Sequence, residues 1–293
     1  MGDALFEYAM QRLRLNRHSL PISCKICDGP TTLFDLVDFN KSCADSQYPL
    51  GLCAIPVAYR KCTNCQFIST DFFEGFTEEQ WRMYIYNDDY IKVDPDYQST
   101  RPFLNAVEIS SLLAGMKDRI VGLDFGGGNG TTAKLLRENG WCFDSYDPFG
   151  QTDVSPERVG RYNFCSAIEV FEHLQDPVGA LREIIEKSTP ERLIILIGTQ
   201  VSDGFVSEQS RLSWWYAAPR NGHASLYSRK ALTILGEKFG LKYSCARGYP
   251  HLLTRGFGKA EAHALLLRGK LRRRFRQALA RMGGPDRANS RSG

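Results

Sequence analysis

Four cysteines are placed as two closely spaced pairs in the first quarter of the chain, at Cys24, Cys27, Cys62 and Cys65. A C-x2-C pair brings two thiolates to one side of a tight turn, and two such turns can form a tetrahedral zinc site. Cys43 and Cys53 lie between the pairs and are alternative ligands. The other interpretation is a set of unrelated thiols. The chain has nine cysteines, an odd number that disfavours a fully paired disulfide framework.

A glycine-rich loop follows an apolar run in the middle of the chain. It joins a predicted strand over 120–125 to a predicted helix over 131–139, and its glycines are Gly126, Gly128 and Gly130. Glycine permits a positive φ and lets the backbone approach a ligand closely. Thr131 stands where a dinucleotide fingerprint has its third glycine. The loop therefore favours a nucleoside ligand that lacks a pyrophosphate.

Two aspartates flank this loop. Asp124 precedes the glycines and can orient the loop or reach an amino group of the ligand. Asp147 ends the next predicted strand, over 142–146, where an acid can accept both hydroxyls of a ribose. The alternative is a tight turn followed by a surface aspartate. The ordered succession of strand, loop, helix, strand and acid favours a cofactor site.

Three residues are candidates for a general base. His223 lies in an aromatic stretch over 214–228, and a histidine can take the proton of a hydroxyl that is being alkylated. Glu169 and Glu172 end another predicted strand and can serve either as the base or in ordering the cofactor loop. His223 can alternatively be structural. Arg220, nearby, can hold a phosphate or a carboxylate.

The elements that must position these residues alternate between strand and helix from residue 119 onward. This alternation predicts an α/β fold with a parallel sheet covered by helices. The expected organisation is an N-terminal helix (1–20), a zinc-binding module (21–75), an aromatic connector or lid (76–116), the core (117–258), and a basic amphipathic helix with a disordered tail (259–293).

Residues 119–249 resemble class I S-adenosylmethionine (SAM)-dependent methyltransferases. The resemblance rests on the glycine loop and on the sequence EVFEHLQDP at 169–177. It implies a Rossmann-like core with a mostly parallel, seven-strand-type sheet and SAM as cofactor. The third strand must be cut short, because few residues separate Asp147 from the next predicted strand. The resemblance places Gly126, Gly128, Asp147 and the stretch 167–169, which begins with Ala167, at the cofactor. The further candidate cofactor residues are Asp124, Gly130 and Pro148.

The cysteine pairs, followed by the tyrosine-rich segment 85–90, are similar to bacterial sugar methyltransferases that have an N-terminal zinc-binding domain. In that family an aromatic segment closes over the cofactor, which makes Tyr90 the candidate lid residue. Packing between domains is the alternative role for these tyrosines. The resemblance implies a small-molecule or saccharide acceptor, most simply a hydroxyl of a nucleotide sugar or glycan. RNA methylation and a non-catalytic SAM-binding module are the alternatives.

The charge of the chain is unevenly distributed. The net charge is +4, yet the segment from residue 260 onward has nine basic and two acidic residues. Interleaved leucines, including Leu265 and Leu266, predict a basic amphipathic helix that could contact an anionic membrane surface, with nucleic acid less favoured. The alternative is a solvated helix with a few core contacts. We find neither an apolar signal region nor a run long enough to span a membrane, so we expect a cytoplasmic protein, with peripheral membrane contact as a variant.

Overall fold

The computed structural model describes residues 2–18, 22–97, 100–150, 152–246 and 248–267. The first part of the chain forms strands and helices that precede the region in which strands and helices alternate. Its elements are α1 (Gly2–His18), β1 (Thr31–Asp38), β2 (Pro56–Cys62), β3 (Ile68–Ser69), α2 (Glu78–Tyr84), α3 (Tyr90–Val93) and α4 (Thr100–Leu112).

The second part contains the strands and helices that the alternating pattern predicts. Its elements are β4 (Val121–Phe125), α5 (Thr131–Glu138), β5 (Cys142–Tyr146), β6 (Phe164–Ile168), α6 (Pro177–Glu186), β7 (Leu193–Gly198), β8 (Ser225–Leu226), α7 (Arg229–Glu237), β9 (Lys242–Cys245) and β10 (His251–Arg255).

The larger sheet has the strand order β5-β4-β6-β7-β10-β9. Strands β5, β4, β6 and β7 run parallel, and β10 is antiparallel to both of its neighbours. All residues of β6 and β7 are buried, as expected for strands covered on both faces. The predicted Rossmann-like α/β fold is confirmed. The sheet has six strands among the described residues, because the segment between β5 and β6 has only one 3-10 turn, Pro156–Arg158.

The smaller sheet joins the cysteine region to the core. Its order is β1-β2-β3-β8, and β8 comes from the long segment that follows β7. The pairing is antiparallel, with Ile68 opposite Leu226 and Ser69 opposite Ser225. Cys24, Cys62 and Cys65 also lie in one apolar cluster with residues of the larger sheet and α7. The cysteine region therefore shares both a sheet and a hydrophobic core with the rest of the chain.

The two ends of the described chain pack on different parts of the structure. Leu5 and Ala9 of α1 are buried in the cluster around the smaller sheet. Residues 259–267 are helical, and Leu265 and Leu266 are buried against the cluster that contains α4. These two leucines therefore contact the core, as in the alternative of a solvated helix with a few core contacts. The predicted basic face and tail, from Arg268 onward, lie outside the described residues. No helix of the described chain is long and apolar enough to cross a membrane.

Candidate active site

A cavity of about 750 Å³ lies where the parallel strands end. Its walls include the residues that immediately follow three strands: the glycine loop after β4, Asp147 after β5 and Glu169 after β6. Side chains from the segment after β7 form a further wall. Residues of α2, α3 and α4 contribute the remaining wall. Ligand sites of α/β folds commonly occupy this position, because the loops at the carboxyl ends of parallel strands converge there.

The glycine loop has the backbone conformation that its sequence predicts. Gly126, Gly128 and Gly130 have φ values of +73°, +57° and +73°. A Cβ atom at Gly126 would come within 2.5 Å of the Val170 side chain, whereas a Cβ at Gly128 would have no protein atom within 4 Å. Gly126 thus allows close packing inside the protein. Gly128 lines the cavity and has open space where a side chain would lie, and Gly130 precedes α5.

The two aspartates occupy different environments. Asp147 accepts hydrogen bonds from the amides of Gly128 and Phe149, both at 2.8 Å, and these bonds hold its carboxylate beside the loop. Asp124 is buried and accepts a hydrogen bond from Ser166 Oγ at 2.7 Å. Burial raises the pKa of Asp124 to about 7. Both carboxyl groups line the cavity.

Three of the expected cofactor residues lie away from the cavity wall. Gly130 caps α5, and Pro148 is exposed while its neighbours Asp147 and Phe149 line the cavity. Ala167 is fully buried in the apolar core. Successive strand residues point to opposite faces, so the cavity is lined by the next residue, Ile168.

Tyr90 lies among aromatic and charged residues that cover the cavity. Its ring centroid is 5.1 Å from those of both Tyr86 and Tyr97. Burial raises the pKa of Tyr90 well above its usual value, so the side chain remains a neutral phenol. Beside it, Arg101 makes two hydrogen bonds of 2.6 Å to Asp94. Sequence reasoning missed this ion pair, because neither residue belongs to a recognisable motif.

His223 is buried with a defined orientation. Its Nδ1 lies 2.7 Å from the carbonyl oxygen of Tyr216, which requires a proton on Nδ1 and leaves a lone pair on Nε2. Burial lowers the pKa of His223 well below its usual value, and the imidazole is therefore neutral. The ring of His173 lies 5.0 Å away, and both histidines line the cavity.

The two glutamates occupy different positions. Glu169 lines the cavity in a left-handed conformation, with φ +55°, and burial together with the neighbouring Glu172 raises its pKa to about 9. Glu172 is completely buried behind the cavity wall, where its Oε1 accepts a hydrogen bond of 2.5 Å from the Tyr216 hydroxyl. The structure therefore gives Glu169 access to a ligand and makes Glu172 a partner of Tyr216.

Arg220 does not face a ligand, contrary to expectation. Its guanidinium donates to the carbonyl of Ile85 at 2.9 Å and to Asn87 Oδ1 at 2.8 Å. Both partners belong to the aromatic connector, and Arg220 is buried. Its role is to tie the segment after β7 to the residues that cover the cavity.

The four paired cysteines converge, as their spacing predicts. Their sulfur atoms all lie within 4.8 Å of one another. Cys24 Sγ is 3.5 Å from Cys65 Sγ, and Cys27 Sγ is 3.4 Å from Cys62 Sγ. Four thiolates around one zinc ion stand about 3.8 Å apart, so the cluster fits the metal. The alternative ligands lie elsewhere: Cys43 lines the cavity and Cys53 contacts Asp38.

The comparison with family models identifies this architecture. A family described as a methyltransferase domain matches residues 97–246, just over half of the chain. The chain belongs to this family and is a class I SAM-dependent methyltransferase. The matched range includes the glycine loop, both flanking aspartates and the His223 segment. A search of the curated proteins gives no match.

Among solved structures, the chain is similar to the mitomycin 7-O-methyltransferase MmcR, at 15% identity over 63% of this chain and 61% of that one, with a TM-score of 0.44. The chain thus spans less than two thirds of that enzyme. It is also similar to the plantazolicin methyltransferase BpumL, at 16% identity over 71% of this chain and 90% of that one, with a TM-score of 0.43. A possible histamine N-methyltransferase from Thermotoga maritima is 16% identical over 53% and 91%, with a TM-score of 0.33.

Proposed function

We propose that this enzyme methylates a hydroxyl group of a small molecule, most simply a saccharide. The proposal rests on one observation: a single cavity contains both a candidate cofactor site and a candidate base. The glycine loop and Asp147 line one part of it, and the Nε2 lone pair of His223 is available in a part formed by another segment. A cavity of this volume falls within the usual range for small-ligand sites.

The glycine loop forms the end of the cavity that we assign to the cofactor. Open space at Gly128 can receive the nucleoside, and Asp147 has the position of an acid that accepts ribose hydroxyls. Asp124 can receive the methionine amino group, and Tyr90 can cover the cofactor. SAM supplies an electrophilic methyl group on a sulfonium. The main contribution of the protein is to hold donor and acceptor in line.

The hydroxyl must lose its proton as it attacks. A new O–C bond forms while the S–C bond breaks, and the electron pair of the broken bond stays on sulfur. His223 is our leading candidate for the base, because its neutral imidazole has a free Nε2. Glu169 is the second candidate, although its raised pKa of about 9 keeps it protonated near neutral pH.

The aromatic lining supports a saccharide or another ring-containing acceptor. Tyr86, Trp215 and Tyr216 line the cavity, and Trp215 is half exposed. Aromatic side chains combine a large apolar face with a polar edge, which suits a ring that carries hydroxyls.

A screen with methyl-labelled SAM tests the proposed acceptor class. We expect turnover with nucleotide sugars or lipid-linked saccharides, and none with tRNA. Methylation of tRNA alone would replace the saccharide proposal with RNA methylation. Tight SAM binding without transfer to any acceptor of these classes would favour a non-catalytic SAM-binding module.

We also propose that Cys24, Cys27, Cys62 and Cys65 bind one zinc ion. We expect metal analysis of the purified protein to give about one zinc per chain, and Cys62→Ser to lose it. Because these cysteines pack in the shared core, loss of zinc should also lower the melting temperature. Cys142→Ser is the matched control, and its zinc content should equal that of the wild type. Unchanged zinc in Cys62→Ser would refute this ligand set.

A further inference from the structure

A second group of potential metal ligands lies beside the cavity. Glu172 and His173 belong to the turn after β6, and His223 comes from the segment after β7. One ligand atom of each residue lies within 4.8 Å of the other two. The group lies in the second half of the chain, whereas the four cysteines belong to the first 65 residues. It is therefore a separate candidate site.

The polar atoms of this group make few hydrogen bonds to the rest of the described chain. Glu172 Oε2 and His173 Nδ1 are buried, and no fixed N–H or O–H donor of the described chain pairs with them, although the carboxyl group of Glu169 lies beside Glu172 and a backbone group lies beside His173. His223 uses Nδ1 for the Tyr216 carbonyl, and Nε2 has no hydrogen bond to any described residue. Nearly all buried polar atoms in proteins have a partner. Two such atoms, together with the neighbouring imidazole of His223, therefore indicate a ligand that contacts all three residues.

Tyr216 orients two of these three residues. Its hydroxyl donates to Glu172 Oε1 at 2.5 Å, and its carbonyl accepts from His223 Nδ1 at 2.7 Å. Each bond occupies one atom of the side chain and leaves the other atom for a ligand. Metal-binding histidines and carboxylates are commonly held by such contacts, which fix their orientation and tautomer.

We propose that Glu172, His173 and His223 bind a divalent first-row transition-metal ion beside the acceptor. Two imidazole nitrogens and one carboxylate oxygen suit ions such as Mn²⁺, Fe²⁺ or Zn²⁺. Glu172 supplies the carboxyl oxygen of this set, and the carboxyl group of Glu169 lies close to it. Because His173 and His223 also line the cavity, a molecule in the cavity could occupy the other coordination positions of the ion.

This inference rests on the proposed function and changes the role of His223 from general base to metal ligand. His223 acts as a ligand, and the acceptor hydroxyl coordinates the ion directly. Coordination lowers the pKa of the hydroxyl, whose proton passes to bulk water. The oxygen then forms the O–C bond as the S–C bond breaks, with the electron pair going to sulfur. An acceptor with two adjacent hydroxyls could chelate the ion, which favours a vicinal diol of a saccharide.

Mn²⁺ titration, followed by electron paramagnetic resonance, tests the site. The purified full-length protein, with its native metal content, should bind one Mn²⁺ per chain, since a thiolate cluster does not favour this harder ion. Glu172→Gln and His173→Gln should each weaken Mn²⁺ binding by more than about tenfold, and Tyr216→Phe should weaken it about tenfold or more. His251→Gln is the control, because both ring nitrogens of His251 already have partners, Tyr243 and Thr199.

The possible results separate this inference from the proposed function. No Mn²⁺ binding by a protein that holds no metal beyond the one proposed zinc ion, or equal binding by the wild type and the folded Glu172→Gln and Tyr216→Phe variants, would overturn the ion site. If the protein still methylates a hydroxyl acceptor in that case, the proposed function stands with His223 as the base. Site-specific Mn²⁺ binding in a protein that methylates none of the tested acceptors would support the ion site and contradict the proposed function.

Discussion

His223→Ala should bind SAM with near wild-type affinity and turn over about a hundredfold to ten-thousandfold more slowly. This range is the usual contribution of a general base, and the loss of a ligand that activates the hydroxyl should act in the same direction. SAM binding should persist because His223 comes from the segment after β7, whereas the glycine loop and Asp147 follow β4 and β5. Calorimetry with SAM and single-turnover rates would separate the two effects.

The control for this prediction is His263→Ala, because His263 is exposed on the helical segment 259–267. Its turnover should equal that of the wild type. Near-normal turnover in His223→Ala would make His223 structural and direct attention to Glu169. A collapse of SAM binding would mean instead that the segment after β7 belongs to the cofactor site. Mn²⁺ affinity of the same variant would distinguish a ligand from a base.

Gly128→Val should lower SAM affinity by more than about a hundredfold and leave the protein folded. An added Cβ meets no protein atom within 4 Å, and Gly128 lines the cavity, so we expect the valine side chain to extend into the space proposed for the ligand. Its positive φ of +57° is unfavourable for valine and costs about 1–2 kcal/mol of stability, which an ordinary domain tolerates. Calorimetric titration with SAM, together with a thermal melt, would measure both quantities.

Gly240→Val is the matched control for this substitution. Gly240 also has a positive φ, +68°, and a Cβ there would likewise have no neighbour within 4 Å. It is not among the residues that line the cavity, so the variant should show the same small loss of stability with unchanged SAM affinity. Equal SAM affinity in Gly128→Val and Gly240→Val would contradict the assignment of the glycine loop to the cofactor.

The parts of the site that the sequence predicts are those whose chemistry lies within a few consecutive residues. The positive φ values of Gly126 and Gly128 follow from a strand–loop–helix pattern, and the cysteine cluster follows from two short spacings. The Rossmann-like core is also predictable, because each helix and strand has its own periodicity. In each case the local sequence and the final structure favour the same conformation.

The parts that the sequence did not predict depend on contacts between distant segments. Strand β10 and the two-residue pairing of β3 with β8 carry no strong local pattern, and the sheets stabilise them. The hydrogen bond between Tyr216 and Glu172 joins two segments that lie 44 residues apart in the sequence. Arg220 has the side chain of an anion-binding residue, yet its partners are Ile85 and Asn87 of a segment far earlier in the chain.

The pairing of β3 with β8 has a consequence for the order in which the enzyme becomes functional during synthesis. The glycine loop needs only its neighbouring strands and α5, which are close together in the sequence. The His223 segment leads directly into β8, whose partner Ile68 is made much earlier. Closing so long a loop is slow, because its entropic cost precedes the contacts that compensate it. A nascent chain should therefore complete its cofactor-binding half before its acceptor-binding half.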